Sequence, residues 1–368
     1  MLQRLQYSLQ SVKENASHVN RWLYRHSFSA SDRIEFYEML AFLLDNEKPL
    51  RQALSDMRDV ATDFGRKKHP FAVLLTDCIY ALDEGESIEV ALLDWVPVQE
   101  ATLIGAGVLE GNIAESLRRA SRIVEGKREM SGAIKGAVMY PSVLIILVIA
   151  MMYMVNEKFI PQLEKMVPRE KWEGAIWWLG NLSQGVVENG IVIVIAAIII
   201  TGGIYWSLDN YTGKLRRFVD STTPWSLYRI FQGVTFLLNI SALLRVNIQT
   251  LNALNIINEN ASPWLQQRVR ETQIYIRQGQ HLGLALKSTG YNFPSKECVN
   301  QLMLLTEGDG AENILEGYAN RWLQQAIKDV KKKALRLTIF CFALVFSYMA
   351  TLLLAITQIN SLVDSLGK

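Results

Sequence analysis

The chain has 368 residues, of which 50% are hydrophobic, and a formal net charge of +2 at pH 7. So small a net charge gives no overall field that would favour nucleic acid, and the length allows two or three domains. The three cysteines lie far apart and form no CxxC pair, so a disulfide framework is not expected and the soluble parts are predicted to face a reducing compartment. The N-terminal residues lack the apolar core of a cleavable signal peptide, so membrane entry is expected to depend on internal segments.

The first soluble region is predicted to be helical. Its leading stretch carries an apolar stripe at helical spacing, formed by Phe36, Met39, Leu40, Leu43 and Leu44. Ser31-Asp32, followed by Glu35, predicts the N-terminal cap of that helix. Helical spacing recurs to about residue 128 without strand-like alternation. An antiparallel helical bundle is therefore the expected architecture.

Three apolar stretches predict transmembrane helices. The first has no charged residue from Val138 to Val155, and such a helix would be about 27 Å long, close to the ~30 Å hydrocarbon core of a bilayer. The second centres on consecutive Ile, Val and Ala residues over 191–200, and the third covers 337–356. Glu188, near one end of the second stretch, is the one charged residue in these stretches, which argues against a path for ions or solutes.

Basic residues predict the orientation. Arginine and lysine clusters precede the first stretch, follow the second and precede the third, whereas the segment between the first two has balanced charges. The positive-inside rule then places both soluble domains in the cytoplasm, with the loop and the tail in the periplasm. Lys331-Lys332-Lys333 could also contact anionic membrane lipid. The predicted segments are an N-terminal leader (1–30), cytoplasmic domain 1 (31–136), a first span (137–156), a loop (157–185), a second span (186–207), cytoplasmic domain 2 (208–336), a third span (337–358) and a tail (359–368).

The two soluble regions resemble each other. Phe36-x3-Leu40-x2-Leu43-Leu44 matches Phe236-x3-Ile240-x2-Leu243-Leu244. Ordered landmarks also recur: Gly85 with Gly279, Pro97-x2-Glu100 with Pro294-x2-Glu297, and Glu110-Gly111 with Glu307-Gly308. Gly85, Glu110, Gly111, Gly279, Glu307 and Gly308 are therefore candidates for a recurring partner contact. The alternative interpretation is that they only cap helices.

Few catalytic or metal-binding patterns are present in the sequence. The four histidines form no close pair, and neither an HExxH nor a GxSxG motif occurs. Gly105-Ala106-Gly107 lacks the lysine of a phosphate loop and lies in a helical pattern, so close helix packing is the better interpretation. The acidic cluster around Gly85 is interpreted as a solvated turn, with a cation site as the alternative. No cofactor, no metal site and no enzymatic activity are predicted.

The order of domain, span, span, domain and span resembles that of the inner-membrane platform proteins of type II secretion systems and type IV pili, the GspF/PilC family. Tyr140-Pro141 at the entry of the first span, and Phe159-Ile160-Pro161 near its end, fall at the positions of the family signature. The resemblance covers essentially the whole chain. It implies an all-α membrane protein with two homologous cytoplasmic helical-bundle domains and three transmembrane helices.

The resemblance also implies a non-enzymatic scaffold in the bacterial inner membrane. Its expected partners are a cytoplasmic hexameric assembly ATPase, a pilin or pseudopilin, other inner-membrane assembly proteins, membrane lipid and further copies of itself. A membrane transporter or channel component, and a membrane enzyme, are the alternatives. The departures from the family pattern favour the type IVb or conjugative thin-pilus branch.

Two expectations about local backbone geometry follow, one from a departure from the family pattern and one from a proline. The family has a glycine in the LLxxG turn of each repeat, where this chain has Glu47 and Asn247. Because glutamate is less suited to positive φ than asparagine, the first turn is predicted to be built differently from the second. Pro141 lacks a backbone N–H and biases Tyr140 away from helical geometry, so the helix is predicted to break or bend at Tyr140.

Overall fold

The protein is described by a computed structural model. The structure describes residues 24–366 except 26, 68, 260 and 306–310, and only the backbone for 214, 311–313 and 360–366. In the described part of the chain, the following helices come before a turn of π-helix at Val155–Phe159: α1 Ala30–Asp45, α2 Leu50–Ala61, α3 Pro70–Asp83, α4 Ile88–Leu92, α5 Val98–Leu109 and α6 Ile113–Met154. After it come α7 Ile160–Met166, a 3-10 turn at Arg169–Lys171, α8 Gly174–Glu188, α9 Gly190–Asn210 and α10 Lys214–Val219. The remaining helices are α11 Trp225–Arg245, α12 Thr250–Glu259, α13 Pro263–Arg277, α14 Leu282–Ser288, α15 Lys296–Leu305 and α16 Ala311–Leu366.

The chain forms two compact units. One, which we call the repeat unit, combines Met1–Met130 with Thr212–Gln324. The other, which we call the apolar unit, combines Ser131–Tyr211 with Gln325–Lys368. Each unit is therefore assembled from two separate parts of the chain. The long helices α6 and α16 each contribute residues to both units.

The internal repeat appears in the order of the helices. Helices α1–α5 and the start of α6 correspond in order to α11–α15 and the start of α16, with lengths of 16, 12, 14, 5 and 12 residues in the first set and 21, 10, 15, 7 and 10 in the second. The matching stripe residues are buried in both repeats: Phe36 and Leu40 in α1, and Phe236 and Ile240 in α11. The described elements of both repeats are helices, in agreement with the predicted helical bundles.

The cap of α1 differs from the prediction. Ser29, rather than Ser31, is the N-cap residue, and its hydroxyl accepts a hydrogen bond from the backbone N–H of Asp32. The Asp32 carboxylate in turn accepts from the backbone N–H of Ser29 at 2.8 Å. This is a capping box with aspartate at the third helical position. Phe28, just before the cap, packs against Phe36 and Phe71, which joins the end of the leader to the first repeat.

The prediction of a different turn in the first repeat is wrong. Glu47 has φ 61° and Asn247 has φ 56°, so both lie in the left-handed region. Glu47 N–H donates to the Leu44 carbonyl and Asn247 N–H to the Leu244 carbonyl, both at 3.0 Å. The next N–H reaches the carbonyl of residue 43 or 243 at 3.2 Å in each repeat. These two hydrogen bonds satisfy the last helical carbonyls in a Schellman motif. They hold Glu47 in the left-handed region, which costs a residue with a Cβ atom conformational free energy.

The apolar unit contains long helices with exposed apolar surfaces. Four helices of the described chain are long and apolar enough to cross a membrane: Ile113–Met166, Gly190–Asn210, Trp225–Arg245 and Ile314–Ile359. The third of these, α11, belongs to the repeat unit, where 61% of its most apolar window is buried. The corresponding windows of the other three are 11%, 0% and 17% buried. A soluble fold would not leave such apolar surfaces facing water.

The helices of the apolar unit are joined by a small core and two polar contacts. Trp172, Ile176 and Leu179 pack with Tyr348 and Ala355 of α16. The hydroxyls of Ser183 and Tyr348 are hydrogen-bonded at 2.9 Å. The side-chain oxygen of Gln358 accepts from the backbone N–H of Ala175 at 3.1 Å, which satisfies one of the free donors at the start of α8.

The predicted break at Tyr140 does not occur. Helix α6 is continuous from Ile113 to Met154, with Pro141 inside it. Proline costs the helix one hydrogen bond, but both flanks are long enough to carry the helical geometry through it. Ser142, the next residue, donates its hydroxyl to the Val138 carbonyl at 2.9 Å. Pro161 lies in the first turn of α7, where its missing N–H costs little.

Candidate functional site

The glycine landmarks of the repeat lie at helix C-termini. Gly85 (φ 79°), Gly111 (φ 73°) and Gly279 (φ 88°) each follow the last residues of a helix in the left-handed region. In each case the glycine N–H and the following N–H donate to carbonyls of the preceding turn, and no atom lies within 4 Å of an added Cβ. Backbone conformation therefore accounts for these glycines. Glu307 and Gly308 lie outside the described residues.

Glu110 has a role beyond helix capping. It follows the last residue of α5, and its carboxylate oxygen Oε1 accepts a hydrogen bond from the side-chain amide of Asn247 at 2.8 Å. Asn247 is the left-handed residue of the turn after α11. A landmark of the first repeat thus contacts a turn of the second. Gln99, at the other end of α5, also donates to the Ile256 carbonyl of α12 at 3.4 Å.

A charged cluster extends this junction between the repeats. Glu316 of α16 lies 3.2 Å from Arg122 and 3.8 Å from Arg119, both in α6. Arg245, at the end of α11, approaches the same carboxylate at 3.9 Å. Glu115 accepts from Arg122 at 3.1 Å as well. These groups are partly exposed, so the cluster contributes more to the specificity of the junction than to its stability.

Close helix contact completes the junction. A Cβ atom on Gly126 of α6 would lie 2.9 Å from a methyl carbon of Leu238 and of Leu323. Gly126 therefore allows α6 to approach both α11 and α16 of the second repeat. Three residues further along α6, Glu129 accepts from the side chain of Gln324 at 3.1 Å. The two repeats are consequently in direct contact along α6.

A buried carboxylate lies in the core of the first repeat. Glu100 is fully buried, and its Oε2 accepts a hydrogen bond from the Tyr37 hydroxyl at 2.9 Å. Arg33 and Lys127 lie 3.5 Å and 3.9 Å from its other oxygen. Burial, together with the Glu100 charge, raises the pKa of Tyr37 well above its ordinary value. Burial lowers the pKa of Lys127, while Glu100 opposes that shift.

The repeat match at Glu100 does not extend to its surroundings. The matching residue, Glu297, is exposed near the start of α15. The spacing from a proline identified both residues, but of these two glutamates only Glu100 is buried beside basic side chains. The second repeat instead buries a different set of charges.

That second set is centred on Asp220, which the sequence analysis did not identify. Asp220 accepts from Arg216 Nε at 2.7 Å and from a terminal nitrogen of Arg268 at 2.6 Å. All three residues are buried. The Arg268 guanidinium lies 3.7 Å from the centre of the Trp264 ring and 4.8 Å from that of Tyr291. Burial lowers the pKa of Arg268 to about 10, against the attraction of Asp220.

The Asp220 cluster fixes the start of the second repeat. Arg216 lies in α10, and Asp220, four residues later, is the C-cap residue of that helix. Arg268 belongs to α13. The i, i+4 spacing of an arginine and an aspartate was the available signal in the sequence. Their burial could not be read from it, because an exposed pair has the same spacing.

No group of three or more His, Cys, Asp or Glu side chains that could hold a metal ion occurs among the residues that the structure describes. In the acidic turn near Gly85, the Asp83 carboxylate is bound by Arg51, whose terminal nitrogen lies 2.9 Å from Oδ2. The three cysteines are buried and unpaired with one another. The candidate site is therefore an arrangement of contacts between two helical repeats.

Comparisons with known proteins also find two related parts in this chain. The family model of type II secretion system (T2SS) protein F matches the chain twice, over residues 36–160 and 236–358. The toxin coregulated pilus biosynthesis protein E of Vibrio cholerae serotype O1 is 25% identical over 252 residues, which cover 67% of this chain and 73% of that protein. The type II secretion system protein F of Xanthomonas campestris pv. campestris is 23% identical over 313 residues, which cover 81% of this chain and 74% of that protein.

The predicted resemblance is thereby confirmed at the level of the family. Apolar helices long enough to cross a membrane, together with these relatives, indicate an inner-membrane protein. The two family matches coincide with the two repeats that contact each other through Glu110, Gly126 and Glu316. The chain belongs to the family of type II secretion system protein F.

Proposed function

We propose that this protein is the non-enzymatic inner-membrane platform of a type IV pilus or type II secretion assembly machine. In this role its repeat unit binds a cytoplasmic assembly ATPase, and its apolar helices contact pilin or pseudopilin helices. Each turnover of the ATPase would move the platform and extract a subunit from the membrane. The matches to proteins named for pilus biosynthesis and for type II secretion support a machine of this class.

The observation that carries the proposal is the joining of two family domains into one unit. Contacts along α6 and at Glu110 hold the repeats together, and each repeat continues through a long helix into the apolar unit. A force applied to either repeat would therefore reach both. This is what a platform needs if it is to transmit motion without carrying out chemistry itself.

We further propose three spans, with the repeat unit in the cytoplasm and the C-terminus in the periplasm. Helices α9, α16 and the apolar part of α6 expose their apolar side chains, as lipid-facing helices do. Helix α11 is of sufficient length, but it is mostly buried among the other helices of the repeat unit and serves as a core helix. The basic clusters beside the three spans support this orientation.

We assign the glycine landmarks to helix capping and Glu110 to the junction between the repeats. Because the φ values of Gly85, Gly111 and Gly279 favour glycine, their recurrence does not need a partner to explain it. The Glu110 side chain contacts the second repeat instead. The type IVb or conjugative thin-pilus branch stays a prediction.

The test is purification of the protein from crosslinked native membranes in mild detergent, followed by identification of the proteins that accompany it. An assembly ATPase and a pilin or pseudopilin are the expected partners. Recovery of neither would contradict the proposal. ATP hydrolysis or solute flux by the purified, reconstituted chain alone would instead favour the enzyme or the transporter.

A topology test separates the span count from the function. Reporter fusions placed after Lys171 should be active in the periplasm, and fusions after Asp209 should be active in the cytoplasm. A periplasmic reporter after Asp209 would refute the orientation. A change of side between fusions placed before and after α11 would show that α11 crosses the membrane.

A further inference from the structure

The short helix α10 has two faces in different surroundings. Arg216 is fully buried and bound to Asp220, so one face of the helix is fixed in the second repeat. Leu215 and Phe218 are 73% and 79% exposed. Three residues apart on a helix, they lie on the same side and form one apolar surface. Their exposure is unusual for large apolar side chains beside a well-packed cluster.

The chain leading to α10 comes directly from an apolar helix. Helix α9 ends at Asn210, and Tyr211–Gly213 connects it to Lys214. Five residues of fully extended chain span about 17 Å, which sets the largest distance between the end of α9 and Leu215. Tyr205 and Trp206, in the last turns of α9, are 74% and 64% exposed, as expected for side chains at a membrane–water interface.

The neighbouring arginine does not compete for this surface. The Arg217 guanidinium lies 4.5 Å from the centre of the Tyr291 ring, against the second repeat. The side chains of α10 are thus sorted: Arg216 and Arg217 pack against the second repeat, while Leu215 and Phe218 are mostly exposed. Exposed leucine and phenylalanine are the residue types that the apolar face of an interfacial helix carries.

We propose that Leu215 and Phe218 insert into the headgroup layer of the cytoplasmic leaflet and anchor the second repeat to the lipid surface. This inference rests on the proposed crossing of the membrane by α9. The occupant of the apolar face is lipid, because the covalent connection keeps the face within chain reach of the interface at all times. The Asp220 cluster would then pass any movement of the second repeat to a lipid-bound helix.

The experiment uses the full chain reconstituted without other proteins into vesicles of phosphatidylcholine and phosphatidylglycerol. Leu215→Cys and Phe218→Cys are labelled with an environment-sensitive fluorophore, and the native cysteines are left in place because they are buried. Vesicles with and without lipids carrying a nitroxide near the headgroup are compared. Emission at both positions should shift to the blue, and nitroxide lipid should reduce it roughly two-fold or more, as for a side chain at the acyl boundary.

Two matched variants make the result decisive. Ile195→Cys reports on the sixth residue of α9, within its apolar run. Val60→Cys reports on a 70% exposed position of α2 that is distant in sequence from every apolar stretch. Quenching at Ile195 but water-like emission at 215 and 218 would overturn the anchor and leave the span intact. A blue shift at 215 and 218 without nitroxide quenching would also overturn it, because protein would then cover the face. Absence of quenching at Ile195 would refute the proposal that α9 crosses the membrane. Quenching at Val60 equal to that at 215 and 218 would overturn the anchor, because lipid contact would then not depend on closeness to α9.

Discussion

Replacing Asp220 by asparagine tests the buried cluster that fixes the start of the second repeat. The carboxylate is the shared partner of Arg216 and Arg268, at 2.7 Å and 2.6 Å, and all three side chains are at most 4% exposed. Asparagine keeps the volume but removes the negative charge, and it offers one acceptor oxygen where two are in use. The two buried guanidinium groups then lose the negative charge that they share.

The expected loss in the free energy of unfolding is large because the charged groups are buried. Removing one partner of a buried ion pair typically costs about 3–5 kcal/mol, much of it the desolvation of the charge left behind. For a cooperative unit of roughly 150–250 residues, each kcal/mol lowers Tm by about 2–4 °C. We therefore expect Asp220→Asn to lower Tm by roughly 6–20 °C, as measured on the purified full chain in one detergent at one scan rate.

Asp56→Asn is the matched control. The Asp56 carboxylate bonds Lys48 at the same 2.7 Å, but both side chains are 41% exposed. Exposed pairs contribute about 0–1 kcal/mol, so its Tm should change by no more than about 4 °C. If Asp220→Asn lowers Tm no further than Asp56→Asn does, burial does not determine the strength of the cluster and the reasoning is refuted.

Three further predictions concern backbone strain, packing and thiols. Glu47→Gly should raise Tm by about 2–4 °C, because it relieves roughly 1 kcal/mol of left-handed strain at φ 61°; an unchanged or lower Tm would contradict this. Gly126→Leu should destabilise the repeat unit by about 1–3 kcal/mol through overpacking against the second repeat, whereas Gly132→Leu on the same helix has open space and should not; equal unfolding of the two would remove the close-contact argument. Burial raises the pKa of the Cys298 thiol to about 12 and that of Cys78 still further, so neither should react with a maleimide at pH 8 before unfolding. Because both folded pKa values exceed the unfolded value of 9.0, their contribution to stability is complete below pH 9 and is lost as the pH rises above it, which unfolding curves at pH 8 and 10 would detect.

Spacing predicted the helical character of the first region and the internal repeat. Apolar residues at helical intervals placed Phe36 and Phe236 in equivalent cores, and both are buried. Local rules were less reliable where two of them competed. The low suitability of glutamate for positive φ predicted a different turn at Glu47, but two backbone hydrogen bonds hold it in the same turn as Asn247.

The local rule for proline also failed to predict the geometry of α6. The restriction that Pro141 places on Tyr140 predicted a break or a bend, and the break does not occur, because the helix continues through both residues. Cooperative helix propagation on either side outweighs the loss of one backbone hydrogen bond. The Tyr140-Pro141 pair marked the entry of the first apolar stretch, but it did not determine the backbone conformation there.

The sequence by itself determined the class of protein: helical periodicity, three dry apolar stretches and ordered landmarks already indicated two related bundles joined to a membrane. These features depend on each residue and its near neighbours along the chain, so no fold is needed to recognise them. Only the tertiary structure decided that Glu110 contacts Asn247, that Asp220 bridges two buried arginines and that Leu215 and Phe218 remain exposed. Those outcomes depend on which distant residues are brought together and on how much water is excluded, and the same charged or apolar residue is stabilising, costly or available for binding according to its burial.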